Sequence, residues 1–151
     1  MRDRDVRNAI QSALTDTDAF NGVHVWGLPE DYGSGSSEQA AVWIVPQSSR
    51  QEDLWDAAPD GGLVITCRIG LLLVYRASSD DPQIRDEGAE RLLTEAANAL
   101  NGQGLGGLIF PQTARVTGWD WQPPASAERR IQATFTCQYI IEGWDEYDTT
   151  Q

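Results

Sequence analysis

Apolar residues near the start of the chain recur at helical spacing: Val6, Ala9, Ile10, Ala13 and Leu14 share one face of a helix over residues 4–14. Asp3 and Asp5 sit at its start, where the helix dipole favours negative charge. Asn21-Gly22 punctuates, and residues 23–26 alternate as a short strand. Residues 28–39, with Pro29, Gly33 and Gly35, read as a loop. The apolar run 40–45 predicts a strand ended by Pro46.

Residues 46–62 (PQSSRQEDLWDAAPDGG) show no period and are polar apart from Leu54 and Trp55, which predicts a long loop. Residues 63–76 carry the strongest alternation in the chain. Leu63, Ile65, Cys67, Ile69, Leu71, Leu73 and Tyr75 fall on one face. The other face mixes Val64, Thr66, Arg68, Gly70, Leu72, Val74 and Arg76, and Gly70 suggests a bend or bulge there. Asp81 then caps a helix that opens on Pro82. That helix runs through Ile84, Gly88, Leu92, Ala96 and Leu100, and ends at Asn101-Gly102. After a glycine-rich loop, residues 113–121 and 131–141 alternate again, joined through Pro123-Pro124. Ile131, Ala133, Phe135, Cys137, Tyr139 and Ile141 share a face of the last strand. Residues 143–151 form an acidic tail with Trp144 and Tyr147.

The predicted order is α-β-β-β-α-β-β. That is an α+β fold: a mainly antiparallel or mixed sheet of about five strands with two helices on one face. The length of 151 residues fits one domain, and no internal repeat or boundary interrupts it.

Charge narrows the possible partners. Eleven arginines, no lysine and 23 acids give a net charge of −12. Such a chain repels phosphate at long range, which disfavours binding nucleic acid or an anionic membrane as its main task. No apolar stretch reaches the roughly 18 residues of a membrane span, and the charged start is unlike a signal peptide. Synthesis in the cytoplasm is therefore expected. Cys67 and Cys137 stand far apart in sequence and are expected to be buried free thiols.

Candidate chemistry is thin. Gly102-Gln103-Gly104-Leu105-Gly106-Gly107 satisfies G-x-G-x-x-G, but it follows a helix and precedes a strand. Dinucleotide binding needs the reverse context, so the match is treated as chance. His24 is the single histidine, and no Gly-x-Ser-x-Gly elbow accompanies it. One histidine and two separate cysteines do not make a zinc site. Paired acids such as Asp80-Asp81 and Asp145-Glu146 are ordinary in so acidic a chain. No catalytic, cofactor-binding or metal-ligating residues are assigned, and the chain is not expected to be an enzyme. Tryptophan is more informative. Trp119 and Trp121 lie two apart on one strand face, and core-facing burial is the simpler expectation for at least one of them. The alternative is an aromatic anchor at a subunit interface. Trp55, with Leu54 beside it, and Trp144 fall in loop-like segments and are further interface candidates.

The succession of an amphipathic start over 6–14, a strand pair, a long strand over 63–76 and the Arg/Glu-rich helix IRDEGAERLL is similar to a known pattern. It continues with the phrase Leu100-Asn101-Gly102, then Leu105-Gly106-Gly107, a tryptophan-bearing strand and a long last strand. The whole resembles the tail terminator proteins of long, non-contractile-tailed bacteriophages. The resemblance covers nearly the whole chain and is one of elements, not a fingerprint. It implies a virion structural protein that forms a ring of copies of itself, usually six, capping the finished tail tube. It implies partners in the tail tube protein and a head-side connector, with double-stranded DNA passing through the lumen without specific binding. It implies no cofactor, no catalysis and no membrane. Glu52, Asp53 and Asp56 are then candidates to line the lumen, where like charge would keep DNA from sticking. A head–tail connector or other neck adaptor of the same architecture is an alternative post. A small ligand-binding or enzymatic α+β domain, with a pocket around the tryptophans, is a third.

Overall fold

The computed structural model describes residues 3–20, 23–26, 38–51 and 63–141. The elements are α1 (Asp3–Thr15), β1 (His24–Val25), β2 (Gln39–Gln51), β3 (Leu63–Arg76), α2 (Pro82–Leu100), β4 (Arg115–Trp121) and β5 (Glu128–Ile141). Short 3-10 turns at Asp18–Phe20 and Pro111–Thr113 complete them. The five strands form one sheet in the order β1-β2-β3-β5-β4. β1 pairs with β2 in parallel, and the other pairs are antiparallel. The α+β expectation, its element order and the two helices therefore hold.

Each helix forms for a reason visible in its residues. Val6, Ile10 and Leu14 of α1, one turn apart, are fully buried. Burial of side chains of this kind contributes roughly 1.5–3 kcal/mol apiece as an upper bound. Asp3 in the first turn of α1 accepts hydrogen bonds from Ser49 Oγ at 2.6 Å and from the Tyr139 hydroxyl at 2.7 Å. One carboxylate thus ties the helix start to β2 and β5. In α2, Asp81 Oδ1 accepts the backbone N–H of Gln83 at 2.9 Å, and Pro82 occupies the first turn. This satisfies a donor that the helix start leaves open. At the other end the Asn101 N–H donates to the Ala97 carbonyl, and Gly102 takes φ +74°, a region that favours glycine. Asn101 Oδ1 also accepts the Val116 N–H at 2.7 Å, which fixes the end of α2 to β4.

The core lies between the helices and one face of the sheet. On β3 it takes Ile65, Cys67, Ile69, Leu71, Leu73 and Tyr75; on β5 it takes Ile131, Ala133, Phe135, Cys137 and Tyr139. These are the faces that the alternation predicts. α2 supplies Ala89, Leu92, Leu93, Ala96 and Leu100. Gly88 lies under the Tyr75 ring, where an added Cβ would come within 2.1 Å of a ring carbon. Cys67 and Cys137 are opposite each other in the β3–β5 register, and both are free and buried. The hydrogen bond that the Cys67 thiol donates to Cys137, and then burial, push that thiol far above its ordinary value, so it stays protonated.

Two boundaries differ from the sequence expectation. β2 does not stop at Pro46. It continues to Gln51, with a register shift between Pro46 and Ser48. A proline is tolerated there because β1 covers only Ala41 and Val42 in its pairing with β2, so among the described residues no ladder partner on that side needs the N–H that Pro46 lacks. Residues 46–51 of the loop expected over 46–62 are therefore strand, and residues 52–62 lie outside the described residues. The irregularity expected at Gly70 falls on the facing strand instead. Gly70 pairs regularly with Val45 and Thr134, and β2 carries the bulge.

Candidate functional site

Directly opposed residues of an antiparallel pair point to the same side of the sheet. Trp119 opposes Ala133 and Trp121 opposes Ile131. Both tryptophans therefore project from the helix-bearing side, as a core-facing pair would. They are nevertheless 54% and 39% exposed. The expectation that at least one would be buried fails because β4 is the last strand of the sheet. The buried face of α2 is used up over β3 and β5, and the edge strand extends past its flank.

What remains is a groove of about 550 Å³ between α2 and β4. Leu93, Ala97, Val116, Trp119 and Trp121 form its apolar lining, and Glu90, Thr94, Asn98 and Asn101 its polar one. Arg129, at the start of β5, lies over the Trp121 ring at 4.8 Å from the centroid. Its Nη1 lies 3.6 Å from Asp86 Oδ1 of α2, and Asp86 also accepts from Arg85 Nε at 3.0 Å. Trp121 is thereby held between a strand edge and a charged helix start.

The opposite end of the sheet mirrors this arrangement. Trp26, directly after β1, is 41% exposed with φ +93°. Its N–H donates to the Val42 carbonyl at 2.6 Å, and Arg7 of α1 lies over its ring at 5.8 Å. Both outer edges of one sheet thus present an exposed indole steadied by an arginine. Sequence reasoning missed Trp26 and Arg129 in this role. The available signal was Arg129 two residues before the Ile131 that faces Trp121 on the neighbouring strand.

The remaining sequence candidates, Leu54, Trp55, Trp144, Glu52, Asp53 and Asp56, lie outside the described residues. His24 is exposed on β1. The Gly102–Gly107 phrase follows α2 and leads through the short 3-10 turn at Pro111–Thr113 into β4, so its context is indeed inverted for nucleotide binding. Among the described residues no group of three His, Cys, Asp or Glu side chains is placed to hold a metal ion. No helix among them is long and apolar enough to cross a membrane. A second cavity of about 240 Å³ is lined in part by Glu38, Tyr75, Arg91 and Glu95. The Tyr75 hydroxyl donates to Glu38 Oε2. Burial, and then that hydrogen bond, push the Tyr75 hydroxyl up to about 12. Tyr75 is thus a neutral donor at physiological pH and no base.

No family model matches the chain, and no curated protein does. Among solved structures, a chain in the virion of a native gene transfer agent particle is similar in fold. It aligns over 90% of this chain and 95% of its own, at 13% sequence identity and a TM-score of 0.51.

Proposed function

We propose that this chain is a structural subunit of a phage-like virion. It assembles head to tail into a ring that caps the tail tube and joins it to a head-side connector. The observation that carries the reading is the pair of sheet edges. Trp119 and Trp121 stand at one end of the strand order and Trp26 at the other, all exposed. Two different apolar patches at opposite ends of a molecule are what a heterologous contact needs, and such contacts close into rings when the rotation permits. Exposed tryptophan with arginine beside it is the composition of interface hot spots. The fold shared with a chain of a gene transfer agent virion supports the same class of role.

In this reading the protein acts through shape and self-association, six copies enclose the lumen, and DNA passes through it. Glu52, Asp53 and Asp56 serve to keep that lumen from holding phosphate. Neutralising the three acids leaves assembly intact and slows DNA ejection; normal ejection from such particles refutes the lumen assignment. The ring itself is tested by native mass spectrometry of the purified chain, alone and with the tail tube protein of its particle. A ring-sized oligomer is expected in one or both samples. Trp119→Ala and Trp121→Ala should each weaken association by about 2 kcal/mol or more. A strict monomer that ignores the tube protein sinks the proposal.

A further inference from the structure

Among the described residues, the side of the sheet that carries no helix has a charge unlike the rest of the chain. Arg68 of β3 opposes Ser48 of β2 and Thr136 of β5, and Thr136 opposes Arg115 of β4. Arg50 of β2 opposes Thr66 of β3. Opposed residues share a face, so Arg50, Arg68 and Arg115 form a row across four strands, roughly 5 Å per strand. Hydroxyls sit between them: Thr117 and Thr136 lie 3.1 Å apart, and Gln138 Nε2 donates to Thr66 Oγ1 at 3.1 Å. Among the described residues the acids on this face are Asp120, opposed to Gln132, and Glu128, opposed to Arg76. Both lie toward the other end of the strands, and Glu128 already accepts from Arg130 Nε at 2.8 Å. Beside the row runs an apolar strip, Trp43, Val45 and Leu72, with Val45 44% exposed.

A row of arginines flanked by an indole and aliphatic side chains fits an acidic peptide with aromatic residues. It fits a DNA duplex less well, because the strip offers nothing to a phosphate backbone and the net charge of −12 repels one. The chain itself contains such a peptide. Residues 142–151 read EGWDEYDTTQ, with Glu142, Asp145, Glu146 and Asp148, Trp144 and Tyr147, and no basic residue. They follow Ile141, which pairs with Leu63 at the same end of the sheet as the arginine row. Ten residues extended span at most about 33–36 Å, enough to reach a neighbour placed edge to edge.

We propose that the helix-free face of the sheet, along Arg50, Arg68 and Arg115 and the strip Trp43, Val45 and Leu72, docks residues 142–151 of a second copy of this chain. The inference rests on the head-to-tail ring, and it names the contact that latches one subunit to the next. Its carboxylates meet the guanidinium row and its two aromatics meet the strip.

The test uses the full chain with a photo-crosslinking benzoyl-phenylalanine at position 144. Isotopically heavy and light protein are mixed and irradiated, and linked peptides are sequenced, with native masses recorded on the same samples. Heavy–light links from 144 to Trp43, Leu72 or the segment around Arg68 are expected. They should fall severalfold in the Arg50→Gln/Arg68→Gln/Arg115→Gln variant, whose melting curve should match the parent because these side chains leave the core untouched. Links to other surfaces, links within one copy only, or links indifferent to the three arginines overturn the proposal. Arginine-dependent binding of a short fluorescent DNA duplex without those links gives the face to nucleic acid and also overturns it. A ring-sized mass without the links rejects the latch alone; a monomer without them rejects the ring as well.

Discussion

The two faces of β3 and β5 differ more than any two regions of the molecule, although the same 28 residues build both. On one face Ile65, Ile69, Leu71, Leu73, Ile131, Ala133 and Phe135 are at most 1% exposed. On the other, Thr66, Arg68, Gln132, Thr134, Thr136 and Gln138 reach solvent, and Val74, opposite Ala41, is a buried exception. The difference shows how one element holds a fold together and keeps a surface free for partners. Alternation at period two lets each residue serve one purpose without weakening the other. Stability is expected to be concentrated in the first face and recognition in the second.

The sharpest way to break this comparison is substitution on neighbouring positions of β5. Phe135→Ala removes a fully buried ring and should cost about 3–5 kcal/mol in urea unfolding. A loss under about 1 kcal/mol would mean the core is not centred there. Gly88→Ala comes next. Its methyl would collide with the Tyr75 ring at 2.1 Å, so α2 or the ring must shift, at a cost of about 1–3 kcal/mol. An unchanged melting temperature would show that the helix sits further from the sheet than described.

Alkaline pH sharpens the comparison from the titration side. The Tyr75 hydroxyl is raised to about 12 in the fold, first by burial and then by Glu38, against about 10 for an unfolded tyrosine. The neutral form is therefore favoured by folding. Its contribution is fully present below pH 10 and is lost as pH rises toward 12. Tyr75→Phe should remove that part of the decline in unfolding free energy, and an identical pH profile in the variant would refute the assignment. The smallest effect is expected one residue from the largest. Thr134→Ala, on the helix-free face, should change stability by less than about 1 kcal/mol. A cost comparable to that of Phe135→Ala would show that this face is covered in the isolated chain.

Much of this was legible in the residues. The face assignments of β3 and β5, the Asp81-Pro82 helix start and the Asn101-Gly102 end follow from period, capping chemistry and backbone freedom, all of which are local. So does the inversion of the glycine phrase, because a helix before it and a strand after it can be read in order. Trp119 and Trp121 were likewise correctly placed on one face of one strand. Their exposure was not readable. It depends on β4 being the outermost strand, and strand order is set by which backbone donors and acceptors meet, groups that are the same in every residue but proline. The passage of β2 through Pro46 depends on the same fact, since an edge position spares a proline the bond it cannot make. The arginine row is the clearest case. Arg50, Arg68 and Arg115 belong to three strands spread over 65 positions of sequence. Alternation settles which face each one takes, but only the register of four paired strands brings them side by side.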